Sequence, residues 1–93
     1  MTLSTSQLVE RLGGYGQELA SAGQLELANW LLFQAEGLDE EKADVREIRA
    51  ACLLDMGRPD EAAAAVEAAL AIAGPTARRL YLLGTAQLAL GEI

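Results

Sequence analysis

Apolar residues recur along this chain at spacings of three and four, the signature of helices with one buried face. Leu8, Leu12, Tyr15 and Leu19 form the first such run, and Ser4 with Gln7 three residues on has the form of a capping box at its start. A second run, Leu27, Ala28, Trp30, Leu31, Leu32 and Ala35, is apolar on most sides, as suits a helix packed between two others. Val45, Ile48, Cys52 and Leu53 form the inward face of a third run, with Glu41, Asp44, Arg46, Glu47 and Arg49 turned to water or a partner. Val66, Leu70 and Ile72 anchor an alanine-rich fourth, and the fifth, from Thr76 to Leu90, has apolar residues all round. Few β-branched residues interrupt these runs, which favours helix over strand.

The breaks between runs are as regular as the runs. In Leu54-Asp55-Met56-Gly57-Arg58-Pro59-Asp60-Glu61, Gly57 can take the left-handed conformation that ends a helix. Pro59 tolerates a first helical position, and Asp60 and Glu61 place negative charge where the helix dipole favours it. The same break stands 34 residues earlier at Gly23 and 34 residues later at Gly91. Asp39 reads as an N-cap for the third helix, with Glu40 and Glu41 in its first turn. Gly74-Pro75 ends the fourth helix and Thr76 caps the fifth. The predicted architecture is all-α: five helices over about 5–22, 25–36, 40–56, 59–73 and 76–90 in a single domain. Short turns make successive helices antiparallel neighbours. Gly13, Gly14 and Gly16 leave open whether the first helix runs unbroken.

Counting in steps of 34 aligns Gly16, Ala50 and Gly84, and it aligns Ala28 with Ala62. These are small residues, placed where two helices cross closely. The pattern resembles the tetratricopeptide repeat, a helix–turn–helix unit of that period. The likeness covers about residues 9–93, or two repeats and the first helix of a third. The family's tryptophan falls at Leu12, Arg46 and Leu80, and its closing proline at Glu40 and Gly74. The resemblance implies an α-solenoid whose concave face is lined by the first helix of each pair. That face would carry Glu10, Gln17, Asp44, Glu47, Leu54, Asp55, Arg78, Tyr81, Thr85 and Leu88, acidic in the middle and apolar toward the end.

Such a groove suits a peptide or helix of a partner protein with basic and apolar side chains. It does not suit the acidic chaperone tails that some members grip with a cationic clamp. The positions of that clamp are held here by Gly13, Gln17, Ala51, Arg78 and Leu82, of which only Arg78 keeps the charge. The segment Leu25–Ala62, with Trp30, Arg46, Arg49 and the Gly57 turn, is also loosely similar to the needle-subunit chaperones of bacterial type III secretion, which implies as an alternative a chaperone that shields a needle or translocator subunit. A third expectation is assembly, as a homo-oligomer or hetero-complex, through the apolar fifth helix, with Leu83 and Leu90 as its assembly surface.

Composition narrows the function further. A net charge of −7 disfavours nucleic acid and anionic membranes, both of which call for Lys and Arg. The sequence has no histidine and a single cysteine, Cys52, on an apolar helix face. The carboxylates from Glu36 to Glu47 lack the alternating spacing and central glycine of a calcium loop, and no zinc spacing exists. The expectation is a non-catalytic protein without metal or cofactor. With no basic region and no long apolar run at the N-terminus, a cytoplasmic setting is the default.

Overall fold

The computed structural model describes residues 2–91. It contains five α-helices, α1 (Thr5–Ser21), α2 (Leu25–Leu38), α3 (Ala43–Asp55), α4 (Pro59–Ala73) and α5 (Ala77–Leu90), and no strand among the described residues. Helix α1 packs on α2, α3 on α4 and α5 on α4, while α2 and α3 join the first two pairs. The remaining contacts are between alternate helices, α1 with α3 and α3 with α5. No helix reaches past its second neighbour, so the chain is a linear, repeat-like stack 50 Å long and 19 Å thick.

The turns explain the pairing. Gly23 and Gly57 have φ of +82° and +73°, and the bonds around them are the same. Gly23 N–H donates to Ala20 O and Gln24 N–H to Leu19 O; Gly57 N–H donates to Leu54 O and Arg58 N–H to Leu53 O. This double closure ends each first helix and reverses the chain. Gly91, with φ +75°, holds the same place after α5.

The helix boundaries differ most from the sequence reading between α2 and α3. Helix α2 runs on through Gly37 to Leu38, because Gly37 keeps a helical backbone, and Asp39 closes α2 in an extended conformation. Asp39 is therefore not the N-cap of α3: its Oδ1 accepts from Glu41 N–H within the turn, and α3 starts at Ala43 after Lys42. Glu40 and Glu41 lie outside the first turn of α3, where Asp44 alone supplies negative charge. Helix α1 is continuous through Gly13 and Gly14, and its Ser4–Gln7 capping box is formed.

The core is built from small residues at the crossings and a few large ones between them. Val9, Leu32, Ala35 and Val45 form one cluster, joining α1, α2 and α3. Ala50, Leu53, Ala62, Ala65, Val66, Leu82 and Ala86 form the second, joining α3, α4 and α5. Ala28, Ala50 and Ala62 are fully buried, as small crossing residues should be. At Gly16 the missing side chain is itself the packing device: a Cβ there would lie 2.6 Å from Leu32 Cγ and Cδ2.

The two joints between pairs use different forces. At α2–α3, the buried Glu36 accepts from Arg46 Nη1 at 3.2 Å, from Arg49 Nη2 at 3.2 Å and from Arg49 Nε. Arg46 and Arg49 thus turn inward instead of facing water or a partner, and they stand 19% and 14% exposed at their side chains. Arg49 also lies 5.3 Å from the Phe33 ring centroid. Shifted by 34 residues, Glu36, Arg46 and Arg49 become Leu70, Leu80 and Leu83. There Leu70 and Leu83 pack on the second core cluster.

This packing can be tested by substitution. Gly16→Ala should destabilise the chain by about 1–3 kcal/mol, since the new methyl must push Leu32 aside. Gly14→Ala, with nothing within 4 Å, should stabilise it by about 0.5–1 kcal/mol. Urea unfolding followed by circular dichroism separates the two. In the same assay Glu36→Ala should cost about 2 kcal/mol, because it strands two largely buried guanidinium groups that can only partly reach water. The triple change Glu36→Leu, Arg46→Leu, Arg49→Leu imitates the leucines of the other joint, and it should restore at least the wild-type stability.

Candidate functional site

The alternate-helix contacts curve the stack so that α1, α3 and α5 share one side. On that side Gln17, Ala20 and Ser21 of α1, Ile48, Ala51, Cys52 and Asp55 of α3, and Arg78 of α5 line a depression of about 170 Å³. The exposed groups at its rim are Gln17, Ser21, Asp55 and Arg78, and the floor is the partly buried Ala20, Ile48 and Ala51 over the buried Cys52. Three of the residues expected on the concave face, Gln17, Asp55 and Arg78, are therefore brought together.

The other expected groove residues have different surroundings. Glu10 is exposed and pairs with Lys42 Nζ at 3.2 Å. Asp44 and Glu47 belong to an ionic cluster between α3 and α5: Arg79 Nη2 lies 3.0 Å from Asp44 Oδ1, and Arg79 Nε lies 2.9 Å from Glu47 Oε1. Arg78 Nε joins the same cluster, 3.4 Å from Glu47 Oε2. Arg79 is 5% exposed and also donates from Nη1 to Gly74 O, so it ties the start of α5 to α3 and to the end of α4. The sequence gives no sign of this role, because an Arg-Arg dipeptide at a helix start has the form of solvated charge. Asp44 stays open to solvent on its free side, whereas Glu47 is largely covered. Leu54 packs against the second core cluster. Thr85 Oγ1 donates back to Tyr81 O within α5. Tyr81 and Leu88 stand 71% and 67% exposed, and neither lines the depression, so they are not part of the groove the sequence reading assigned them to.

The expected assembly surface is divided. Leu83 is partly buried against the core cluster, so it serves the α4–α5 joint, while Leu90 is exposed. The large exposed apolar side chains of α5 are Leu80, Tyr81, Leu88 and Leu90. A second exposed apolar set lies on α2: Leu27, Trp30 and Phe33, each more than half exposed. The corresponding residues of α4, 34 positions on, are Glu61, Ala64 and Glu67. The fold therefore does not demand large apolar residues at these positions of α2.

Cys52 is buried, and its thiol donates to Leu25 O. Burial pushes its pKa up, and the nearby Asp55 and Glu26 carboxylates add to the shift, against an opposing pull from Arg49 and Arg58. A thiol held protonated in this way is a poor nucleophile. Among the described residues no group of three or more His, Cys, Asp or Glu could hold a metal ion, and no helix is long and apolar enough to cross a membrane. Neither a protein-family model nor a curated protein sequence matches this chain.

Because the folded thiol titrates higher than the unfolded one, its contribution to stability is intact below the ordinary thiol value and is lost as pH rises through the folded value. The alkaline fall in melting temperature should be smaller in Cys52→Ala than in the parent chain. Native protein at neutral pH should react with a disulfide reagent far more slowly than protein unfolded in urea.

Proposed function

We propose that this chain is a non-catalytic protein-interaction module, built on tetratricopeptide-type repeats, whose concave side takes a partner segment carrying basic and apolar side chains. The observation that supports this reading is the groove itself. An apolar floor from α1 and α3 is flanked by the free carboxylate of Asp55 and the open amide and hydroxyl of Gln17 and Ser21. Arg78, the cation at its far edge, is already paired to Glu47, which leaves the rim available to positive charge on a ligand. Side chains at spacings of three and four on a bound helix would reach the floor while its cations meet Asp55.

A second reading, a chaperone that shields an aggregation-prone secretion subunit, is favoured by Leu27, Trp30 and Phe33 on the opposite side. Exposed aromatic side chains of this kind are the usual anchors of protein contacts.

Fluorescence anisotropy with labelled synthetic helices tests both. A Lys/Leu amphipathic peptide of about 15 residues, long enough to form a helix when bound, should bind, and a Glu/Leu peptide of equal length should not. Asp55→Lys should weaken the Lys/Leu peptide about tenfold, the loss of roughly 1.4 kcal/mol. Equal affinity for the two peptides would sink the groove reading. Binding lost in Trp30→Ala but kept in Asp55→Lys would move the contact to the chaperone side.

A further inference from the structure

Among the described residues the outer side of α5 is an unfilled helix seat. Leu80, Gly84 and Leu88 follow one another at intervals of four, so they lie in one row along the helix, with Tyr81 beside them. Leu80, Tyr81 and Leu88 are 55%, 71% and 67% exposed, and nothing approaches within 4 Å of the place a Cβ on Gly84 would take. The 34-residue register makes Gly84 the counterpart of Gly16. In the first pair the space left by Gly16 is where Leu32 of α2 sits. Helix α1 carries α2 over this side and α3 carries α4, whereas α5 carries no helix there among the described residues.

The distribution of charge selects the occupant. Of the five helices, α5 alone has no Asp or Glu, although the chain as a whole carries −7. It is thus the helix on which a second, equally acidic copy meets the least repulsion. Head-to-tail stacking is disfavoured on the same ground. Arg11 of α1 holds the register position of Arg79, which inside the molecule is met by Asp44 and Glu47. The matching positions of α5 are Arg78 and Tyr81, so at those positions α5 of one copy offers no carboxylate to Arg11 of the next.

A two-fold pairing has no such conflict. With α5 antiparallel to α5 of a second copy and the two crossing at Gly84, Leu80 of each lies over Leu88 of the other. The absent side chains allow a close crossing, and the Arg78 side chains fall at opposite ends. We infer that this face is the contact through which two copies of the chain form a closed, antiparallel dimer. The interface is isologous, and a single 14-residue helix from each copy places it at the small end of specific interfaces, so it dissociates on dilution.

Sedimentation equilibrium over a wide range of protein concentration tests this inference independently of groove binding. The parent chain should pass from one chain to two and no further. Leu88→Glu changes an exposed residue, so helicity by circular dichroism should be kept while the dimer dissociation constant rises more than tenfold. Gly84→Cys should form a disulfide-linked dimer under mild oxidation, and Gly14→Cys should not. A monomer at every concentration, a mass that climbs beyond two chains, or a dimer dissolved by Trp30→Glu but not by Leu88→Glu would each overturn the proposal. The peptide measurements above, repeated on Leu88→Glu, keep the two readings separate: groove binding should survive in the monomer.

Discussion

Everything in this fold depends on a backbone reversal that only glycine performs without strain. At Gly23 and Gly57 the chain takes a positive φ, the amides of the turn cap the carbonyls of the helix just ended, and the next helix is laid back alongside. Once the helices are antiparallel and close, the crossing residues must be small, which is why Gly16, Ala28, Ala50 and Ala62 stand where they do. Once the pairs are flat layers, they can only stack, and the concave groove is a consequence of that stacking.

The stack is held by unlike joints. Between the first and second pairs a buried carboxylate holds two guanidinium groups. Between the second pair and α5 the same positions are leucines, and the ionic contact moves to the first helices, where Arg79 meets Asp44 and Glu47. A buried ion pair contributes little net stability against an apolar replacement, but it tolerates few alternative partners. In the α2–α3 joint that specificity orients Arg49 over Phe33, and with it the border of the exposed α2 face.

The parts of this architecture written in local chemistry are legible in the amino-acid sequence alone. The caps at Ser4 and Thr76 and the glycine turns act through neighbours in sequence and are formed in the fold, and the small residues Gly16, Ala28, Ala50 and Ala62, picked out by the 34-residue register, are buried, whereas Gly84 meets no other helix among the described residues. Asp39 misleads because a carboxylate close after Gly37 has the local form of a helix start. The actual choice is made at longer range: Arg46 reaches back to Glu36 and Glu40 O and holds that turn in place. Arg46, Arg49 and Arg79 are hard to read for the same reason. Nothing near them in sequence announces that their partners lie on another helix. In the groove, Gln17, Asp55 and Arg78 follow from the repeat register, but Leu54 turns to the core instead, because register alone does not resolve neighbouring helix faces.

The contact pattern also bears on how such a chain comes to be folded. Since no helix touches anything beyond its second neighbour, every tertiary contact closes a loop of modest length. Chains of this kind fold quickly, because little entropy must be surrendered before contacts form. As the chain leaves the ribosome, α1 and α2 can close on each other while α4 and α5 are still being made, and each later helix finds its support already in place. The order of synthesis is thus the order of stacking, and α5, the last of the five to emerge, settles onto a scaffold that is already built.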